Sequence, residues 1–293
     1  MLNEFLQLIL SGIAIGCVYG LVALGFVLIY KATEVVNFAQ GELMMFGAFI
    51  ALTMGGLQFM PFWLSVVLAV LAMALIGGAV ERAVIRPVLG QPIFSIVMIT
   101  IGLGFFARGL ASLIPGWGTL THRLPTPYAD QTVAFGELVL SAGHLMIILV
   151  TIVLCVLLFA FFRYTRMGVA MQAISQNQLA AHYMGIPVAR INTLIWCISA
   201  AVAAIAGILL APITFVHANM GLIGLKAFPA AVIGGFGSIP GAIVGGLIIG
   251  IVEALSGRYL PDGIKDVSAY VVLLAVLIIR PNGLFGEKLT KKV

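Results

Sequence analysis

The sequence predicts an all-α protein that crosses a membrane several times. Of its 293 residues, 62% are hydrophobic and only 9% are charged, whereas soluble domains carry about 25% charged residues. Its 34 glycines exceed the ordinary share of about 7%, and such enrichment is typical of membrane helices that pack closely or break. A soluble globular enzyme is therefore excluded.

Uncharged runs predict the individual spans, because about 20 helical residues are needed to cross the hydrocarbon core. The run 43–80 is long enough for two helices, which Gly55, Gly56 and Pro61 would join by a tight turn. The other predicted spans are 5–30, 93–113, 144–162, 192–216 and 267–279. We expect the longest loop outside the membrane, over 114–143, and a polar cytoplasmic segment, over 163–191, within a single transmembrane domain of residues 1–293.

The segment 227–252 is uncharged, but proline and glycine interrupt its first half. One straight helix is therefore not expected there. Instead we predict a re-entrant half-helix over 225–235 and a returning helix over 241–255, which gives about eight transmembrane helices plus the half-helix. Since irregular backbone in a membrane must be buried in protein or line a cavity, the turn 234–241 is expected to flank a transport path.

The net charge of +5 follows from topology, because lysine and arginine collect on the cytoplasmic side. No nucleic-acid partner is needed to explain it. The ten basic residues assigned to the inner face are Lys31, Arg82, Arg86, Arg163, Arg166, Arg190, Arg280, Lys288, Lys291 and Lys292.

The position of the N-terminus depends on how the run 43–80 crosses the membrane. The N-terminus lies outside if 43–80 makes two full crossings, and inside if the first half of that run is re-entrant.

Stripes of small residues occur in several predicted spans, with Gly12, Gly16 and Gly20 in the first. In lipid such stripes let helix backbones touch. They indicate either packing within the chain or an interface between subunits.

No catalytic constellation is visible in the sequence. The four histidines are scattered, no motif of a metalloprotease or a serine hydrolase occurs, and no lysine completes a phosphate-binding loop. We therefore expect no catalytic residue, no metal and no cofactor in this chain. If ATP drives the protein, another subunit must bind it.

A run of polar residues over 31–42, the polar segment, follows the first predicted span. A helix starting near Gly41 would point its free backbone N–H groups at this segment, which could then meet a carboxylate. The alternative is that the segment is a plain loop at the membrane interface. A similar but weakly matching stretch, the echo at 216–221, favours an internal repeat of the kind found in transporters. The predicted residues of the translocation path are Asn37, Gln40, Glu42, Gly234, Gly235 and Gly237.

Arg108 lies inside a predicted span, near its outer end. It either pairs with a substrate carboxylate or extends to the membrane interface. No aspartate or glutamate falls inside a predicted span except near its ends, which disfavours an ion-coupled secondary transporter.

The segment 166–187 is expected to form a helix up to Tyr183, which Gly185 and Pro187 then end. It is too short and too polar to cross the membrane. With Ala180 and Ala181 exposed, it could lie along the inner face and dock into a groove on a soluble partner. The residues predicted to make this contact are Ser175, Asn177, Gln178, Ala180, Ala181 and Gly185.

These motifs together resemble the permease subunits of branched-chain, or hydrophobic, amino acid ABC importers over essentially the whole chain. In such importers the loop motif Glu-Ala-Ala-x-x-x-Gly forms the coupling helix on the ATPase; here Ala180, Ala181 and Gly185 match it, and Leu179 replaces the glutamate. The other residues that carry the resemblance are Asn37 to Gly41, Arg86-Pro87, Gln176-Asn177, Val232 to Ala242 and Arg280 to Gly286.

The resemblance implies the ABC importer permease fold and a multi-pass protein of the bacterial inner membrane. It implies a second homologous permease, two ATP-binding subunits and a periplasmic binding protein that delivers leucine, isoleucine or valine. It also leaves open the import of urea or short amides. An ion-coupled transporter and a structural membrane protein are the rival classes, and the second leaves the coupling motif unexplained.

Overall fold

The computed structural model describes residues 2–57, 60–118, 120–129, 131–135, 138–261 and 263–286. Eleven α-helices form in these residues: α1 Leu2–Thr33, α2 Gln40–Gly55, α3 Phe62–Val80, α4 Ile93–Leu113, α5 Ala142–Tyr164, α6 Arg166–Gln176, α7 Gln178–Tyr183, α8 Val188–Thr214, α9 Ile223–Gly234, α10 Ile239–Tyr259 and α11 Ile264–Ile279. Shorter helical turns span Glu81–Ile85, Arg86–Val88 and Ala218–Leu222.

Six of these helices are long and apolar enough to cross a membrane, namely α1, α3, α4, α5, α8 and α10. The helices α2 and α11 have 16 residues each, so their length alone does not establish a crossing. The helix α9 has 12 residues and lies where the half-helix over 225–235 was predicted. The helical membrane architecture is thus confirmed, whereas the count of eight spans is not.

The molecule has two distinct ends. At one, which we call the hairpin end, the start of α1 meets the loop before α5: Gln7 Nε2 donates to Val139 O at 2.9 Å. At the other, the basic end, the rings of Tyr30 and Phe236 lie 4.7 Å apart. The described basic residues predicted to be cytoplasmic belong to this end, whereas Lys288, Lys291 and Lys292 lie outside the described residues.

The chain between α1 and α3 returns from the basic end to the hairpin end. After α1 reaches the basic end, residues 34–39 return to the interior, where α2 begins with Gln40 fully buried. The helix then runs to the hairpin end, where Thr53 accepts a hydrogen bond from Trp117. The start of α1 therefore lies at the hairpin end, and the side of the membrane on which the N-terminus lies stays a prediction.

The helices form two groups of four with the same order of elements and opposite direction. Each group, α1–α4 and α8–α11, consists of a long helix, a short helix that starts in the interior, and two further helices. The third helix of each group packs on the first helix of the other, since α3 packs on α8 and α10 packs on α1. This arrangement is the one expected of two inverted groups, and the internal repeat indicated by the echo at 216–221 stays a prediction.

The central helix is α1. Within its most apolar stretch of 18 residues, 89% are buried in the protein. Its glycine stripe meets α10 backbone to backbone: a Cβ added to Gly16 would lie 2.8 Å from Gly246 O, and one on Gly12 would lie 2.9 Å from Ile251 Cα. For this stripe the reading as packing within the chain is confirmed.

The loop predicted over 114–143 contains a small antiparallel hairpin, β1 Thr132–Phe135 and β2 Leu138–Ser141. The expectation of an all-α protein is wrong at this point. Two strands of four residues are too short to produce a recognisable alternation of polar and apolar residues, so the sequence pattern could not indicate them.

Candidate functional site

Two short helices begin next to each other in the interior of the protein. A Cβ added to Gly41, in the first turn of α2, would overlap the carbonyl of Gly221, and one on Gly224, in the first turn of α9, would overlap the backbone of Gly41. Helix N-termini carry free N–H groups and a partial positive charge. The positive end of α2 therefore meets the chain that enters α9, which continues directly from the helical turn Ala218–Leu222. We call this point the junction.

Glu42 supplies the negative charge at the junction. It lies in the first turn of α2, is 7% exposed, and accepts a hydrogen bond from Arg108 on α4. A Cβ added to Gly221 would lie 3.0 Å from the Glu42 Oε1 atom, so this carboxylate lies against the chain that leads into α9. It interacts with a guanidinium and with the positive end of its own helix at once.

Arg108 differs from both interpretations drawn from the sequence. It neither extends to the interface nor stands free for a substrate, because its guanidinium pairs with Glu42 inside the protein. Its side chain keeps 23% exposure, and its Nε atom is buried without a hydrogen-bond partner among the described residues. The ring of Phe105 lies 6.0 Å from the guanidinium carbon.

Asn37 and Gln40 are both fully buried beside Glu42. The Ser199 hydroxyl on α8 donates to Gln40 Oε1 at 3.2 Å and to Gly25 O at 3.0 Å. Asn37 Oδ1 accepts from the Ala39 amide at 3.1 Å. The structure thus brings three predicted path residues together, and their polar atoms hold α1, α2 and α8 against one another.

A second ionic cluster holds α9. Lys226, in the first turns of α9, donates to Glu253 on α10 at 2.9 Å and to Asp266 on α11 at 2.7 Å. Tyr19 on α1 donates to the other oxygen of Glu253, and Glu253 is 4% exposed. The sequence reasoning missed this cluster, although a lysine and a glutamate within apolar segments are a signal that membrane helices rarely carry without a partner.

The placement of Glu42 and Glu253 corrects the argument against an ion-coupled transporter. Both carboxylates are buried in the helical bundle, so acidic residues are not confined to the ends of the spans. Each is paired with a cation of the same chain.

The turn between α9 and α10 lies at the basic end, away from the junction. A Cβ added to Gly234 would overlap Gly241, and Gly235, with φ of +94°, packs against Gly286. Only Gly237 of the three predicted glycines is exposed. The six predicted path residues therefore form two separate groups, one at the junction and one at the basic end.

Gly237 borders a polar groove of about 680 Å³ that opens at the basic end. We call it the basal groove. Its lining includes Tyr30, Glu34, Gln172, Ser175, Phe236 and Asn282.

The helix predicted from residue 166 up to Tyr183 consists of two helices, α6 and α7. Asn177 separates them and accepts from the Ala180 amide through its Oδ1 atom at 2.9 Å, because asparagine favours the capping position over the helix interior. Gly185, with φ of +83°, ends the second helix, as predicted. Gln178 and Ala180 are exposed, but Ala181 is only 5% exposed, so its predicted exposure is wrong: it packs toward the protein.

Large apolar side chains are exposed on α7 and directly after it, beside the polar Gln178 and His182. Leu179, Tyr183 and Met184 are 63%, 80% and 83% exposed at the end of the molecule where basic and polar residues collect. Sequence reasoning missed these three residues, although Leu179 and Tyr183 are four positions apart and so share one helix face.

Comparison with known proteins identifies relatives along the whole length of the chain. The family profile described as "Branched-chain amino acid transport system / permease component" matches residues 8–279. The high-affinity branched-chain amino acid transport system permease protein LivH of Escherichia coli (strain K12) is 36% identical, with 99% of this chain and 98% of that protein covered. The corresponding protein BraD of Pseudomonas aeruginosa is 33% identical over the same shares.

A solved structure shows the same fold. It is titled "PsaBC from Streptococcus pneumoniae in complex with Fab" and aligns with a TM-score of 0.52 at 14% identity, covering 97% of this chain and 98% of that chain. The chain belongs to the family of branched-chain amino acid ABC transporter permeases.

Proposed function

We propose that this chain is the membrane permease subunit of an ATP-driven importer of leucine, isoleucine and valine in a bacterial inner membrane. It works with a second homologous permease, two ATP-binding subunits at the basic end and a periplasmic binding protein at the hairpin end. The observation that carries the proposal is the similarity over 99% of the chain to relatives named as branched-chain amino acid permeases.

The helix α7 is the proposed seat of an ATP-binding subunit. Three large apolar side chains are exposed on it or directly after it (Leu179, Tyr183 and Met184), and such a surface gains free energy when a partner covers it. The predicted polar contacts Asn177 and Gln178 are exposed beside them, whereas the third, Ser175, lines the basal groove. Ala181 is buried, so in this proposal it packs α7 against the rest of the protein and does not contact the partner.

The junction and the basal groove are the proposed ends of the translocation path within this subunit. At the junction, Asn37, Gln40 and Glu42 form a closed polar cluster where two short helices begin, and broken helices of this kind border substrate sites in transporters. At the basic end, Gly237 borders an open polar groove. Transport then requires the junction to open, because its polar atoms are buried.

Uptake into proteoliposomes tests the proposed substrate. The complete transporter, supplied with its binding protein and with ATP inside the vesicles, should accumulate leucine, isoleucine and valine. Uptake of urea or acetamide in their place would assign the chain to the alternative substrate class. Accumulation by the permease without ATP, under an ion gradient, would contradict the proposal altogether.

The seat on α7 is tested by charge insertion. Tyr183→Asp and Leu179→Asp should each reduce retention of the ATP-binding subunit by at least tenfold, because a carboxylate would be buried at the contact. Tyr259→Asp is the control, since Tyr259 is 64% exposed at the opposite end and should retain the subunit fully. Normal retention by both α7 variants, with unchanged thermal stability, would exclude α7 as the seat.

A further inference from the structure

A second groove, of about 610 Å³, lies between α1, α5 and α10 near the basic end. We call it the lateral groove. Lys31 and Arg163 form its polar rim, where α1 and α5 end. Its walls are mostly apolar, and no aspartate or glutamate lines it among the described residues.

Polarity in the lateral groove changes in the same direction along all three helices. On α1 the lining runs from Lys31 at the rim to Leu24 in the depth, and on α5 from Arg163 to Cys155. These pairs are seven and eight residues apart, so at 1.5 Å per residue the apolar wall extends about 11 Å below the charges. On α10, which runs the opposite way, Ser238 lies at the rim and Val244 below it. The groove is thus amphiphilic along the axis of the bundle.

The groove lies beside the exposed surface of α5. Within the most apolar stretch of 18 residues of this helix, only 22% are buried, and Val156 and Phe159 on it are 61% and 55% exposed. An apolar molecule can therefore enter from the surrounding bilayer without passing the core. The guanidinium of Arg163 lies 5.8 Å from the rings of both Phe159 and Tyr164, which keeps its charge at the rim.

We propose that the lateral groove binds an anionic glycerophospholipid of the cytoplasmic leaflet, with the phosphate at Lys31 and Arg163 and an acyl chain against the apolar walls. Basic pockets between transmembrane helices on the cytoplasmic side recognise anionic headgroups in this way. A net negative headgroup complements the two cations, whereas a zwitterionic headgroup or an amino acid carries no net charge. The volume also exceeds what a single leucine molecule fills.

The first test compares lipids on the purified protein. Thermal stability is measured in detergent while phosphatidylglycerol or phosphatidylcholine of matched chain length is added. Phosphatidylglycerol should raise the unfolding temperature in a saturable manner, and leucine at millimolar concentration should not displace it. Equal effects of the two lipids, or displacement by leucine, would overturn the proposal.

Two variants locate the effect in the groove. Arg163→Gln should weaken the phosphatidylglycerol response at least fivefold, in line with about 1 kcal/mol per basic residue near an anionic surface. Cys155→Phe keeps both charges but fills the apolar wall, and it should weaken the response to both lipids. Arg166→Gln is the matched control, because Arg166 is exposed but does not line the groove. An unchanged response in both test variants, or an equal loss in the control, would place the lipid elsewhere.

Discussion

The two short helices that meet at the junction, α2 and α9, have the same place in the two inverted groups and opposite charges in their first turns. Glu42 lies in the first turn of α2, whose positive end stabilises it. Lys226 is the fourth residue of α9, which continues from the turn Ala218–Leu222 and therefore offers this cation no favourable helix end. Among the described residues, Arg108 is the one cation paired with Glu42, whereas Lys226 pairs with both Glu253 and Asp266.

This difference indicates which half of the junction depends on its surroundings. Glu42 would keep the positive end of its own helix as a partner even without Arg108, so α2 is stabilised locally. Lys226 depends on carboxylates from two other helices, and Asp266 is 71% exposed. The position of α9 is therefore set by side chains that a movement of α10 or α11 would displace, and we expect α9 to be the half that moves during transport.

The largest effect is expected from Lys226→Met. It leaves Glu253 buried beside Tyr19 without a cation, and breaking a buried ion pair from one side costs about 3 kcal/mol or more. The thermal unfolding temperature of the purified protein should fall sharply. Adding Glu253→Gln to the same chain should restore much of the loss, because the unpaired charge is then gone. No recovery in the double variant would mean that Lys226 acts through packing.

A close second is Gly224→Ala. The added Cβ would overlap the backbone of Gly41, which cannot move as a flexible side chain can, so a cost of about 2 to 3 kcal/mol is expected. Gly55→Ala is the matched control at the other end of α2, where a Cβ meets nothing within 4 Å. The control should be neutral or slightly stabilising. Equal stability of the two variants would show that the contact at the junction is looser than described.

Arg108→Met sharpens the comparison most directly. Glu42 loses its guanidinium but retains the positive end of α2, so the unfolding temperature should fall clearly less than in Lys226→Met, by an amount equivalent to about 1 to 2 kcal/mol. The exchange Glu42→Arg with Arg108→Glu tests the same point. It restores the ion pair but places a cation at the positive end of α2, and it should stay destabilised. Full recovery on exchange would show that this helix end contributes little.

The smallest effect is expected from Asp266→Asn. Its side chain is exposed, and ion pairs of exposed groups are screened by water and salt. A shift of the unfolding temperature of no more than a degree or two is expected, and raising the salt concentration should abolish the difference from the unaltered protein. A drop comparable to that of Lys226→Met would place Asp266 among the buried supports of α9.

Much of the fold could be predicted from the sequence, because a membrane helix is recognisable as a long run of residues without charge. The bounds of α4 were predicted as found, and the break between α9 and α10 was indicated by Gly234 to Gly241. The start of α2 near Gly41 was also predicted correctly. These features depend on residues that are neighbours in the sequence.

The pairing of charges could not be predicted in the same way. Glu42 and Arg108 are 66 positions apart, and Lys226 and Glu253 belong to different helices. Which of them meet depends on how each helix is rotated about its axis, and uniformly apolar helices give little periodicity from which to read that rotation. The same cause accounts for Ala181, whose burial follows from the way α7 packs on α8.

The backbone contact between α1 and α10 has a consequence for the synthesis and membrane insertion of the protein. About two hundred residues separate the end of α1 from the start of α10, and at synthesis rates of about 5 to 20 residues per second the ribosome needs roughly 10 to 40 s to make them. Until α10 has been made, the glycine stripe of α1, which is buried in the folded protein, lacks the helix that it packs against. The helix α1 is thus made long before α10, and during synthesis its glycine stripe contacts lipid or other protein in place of the helix that finally covers it.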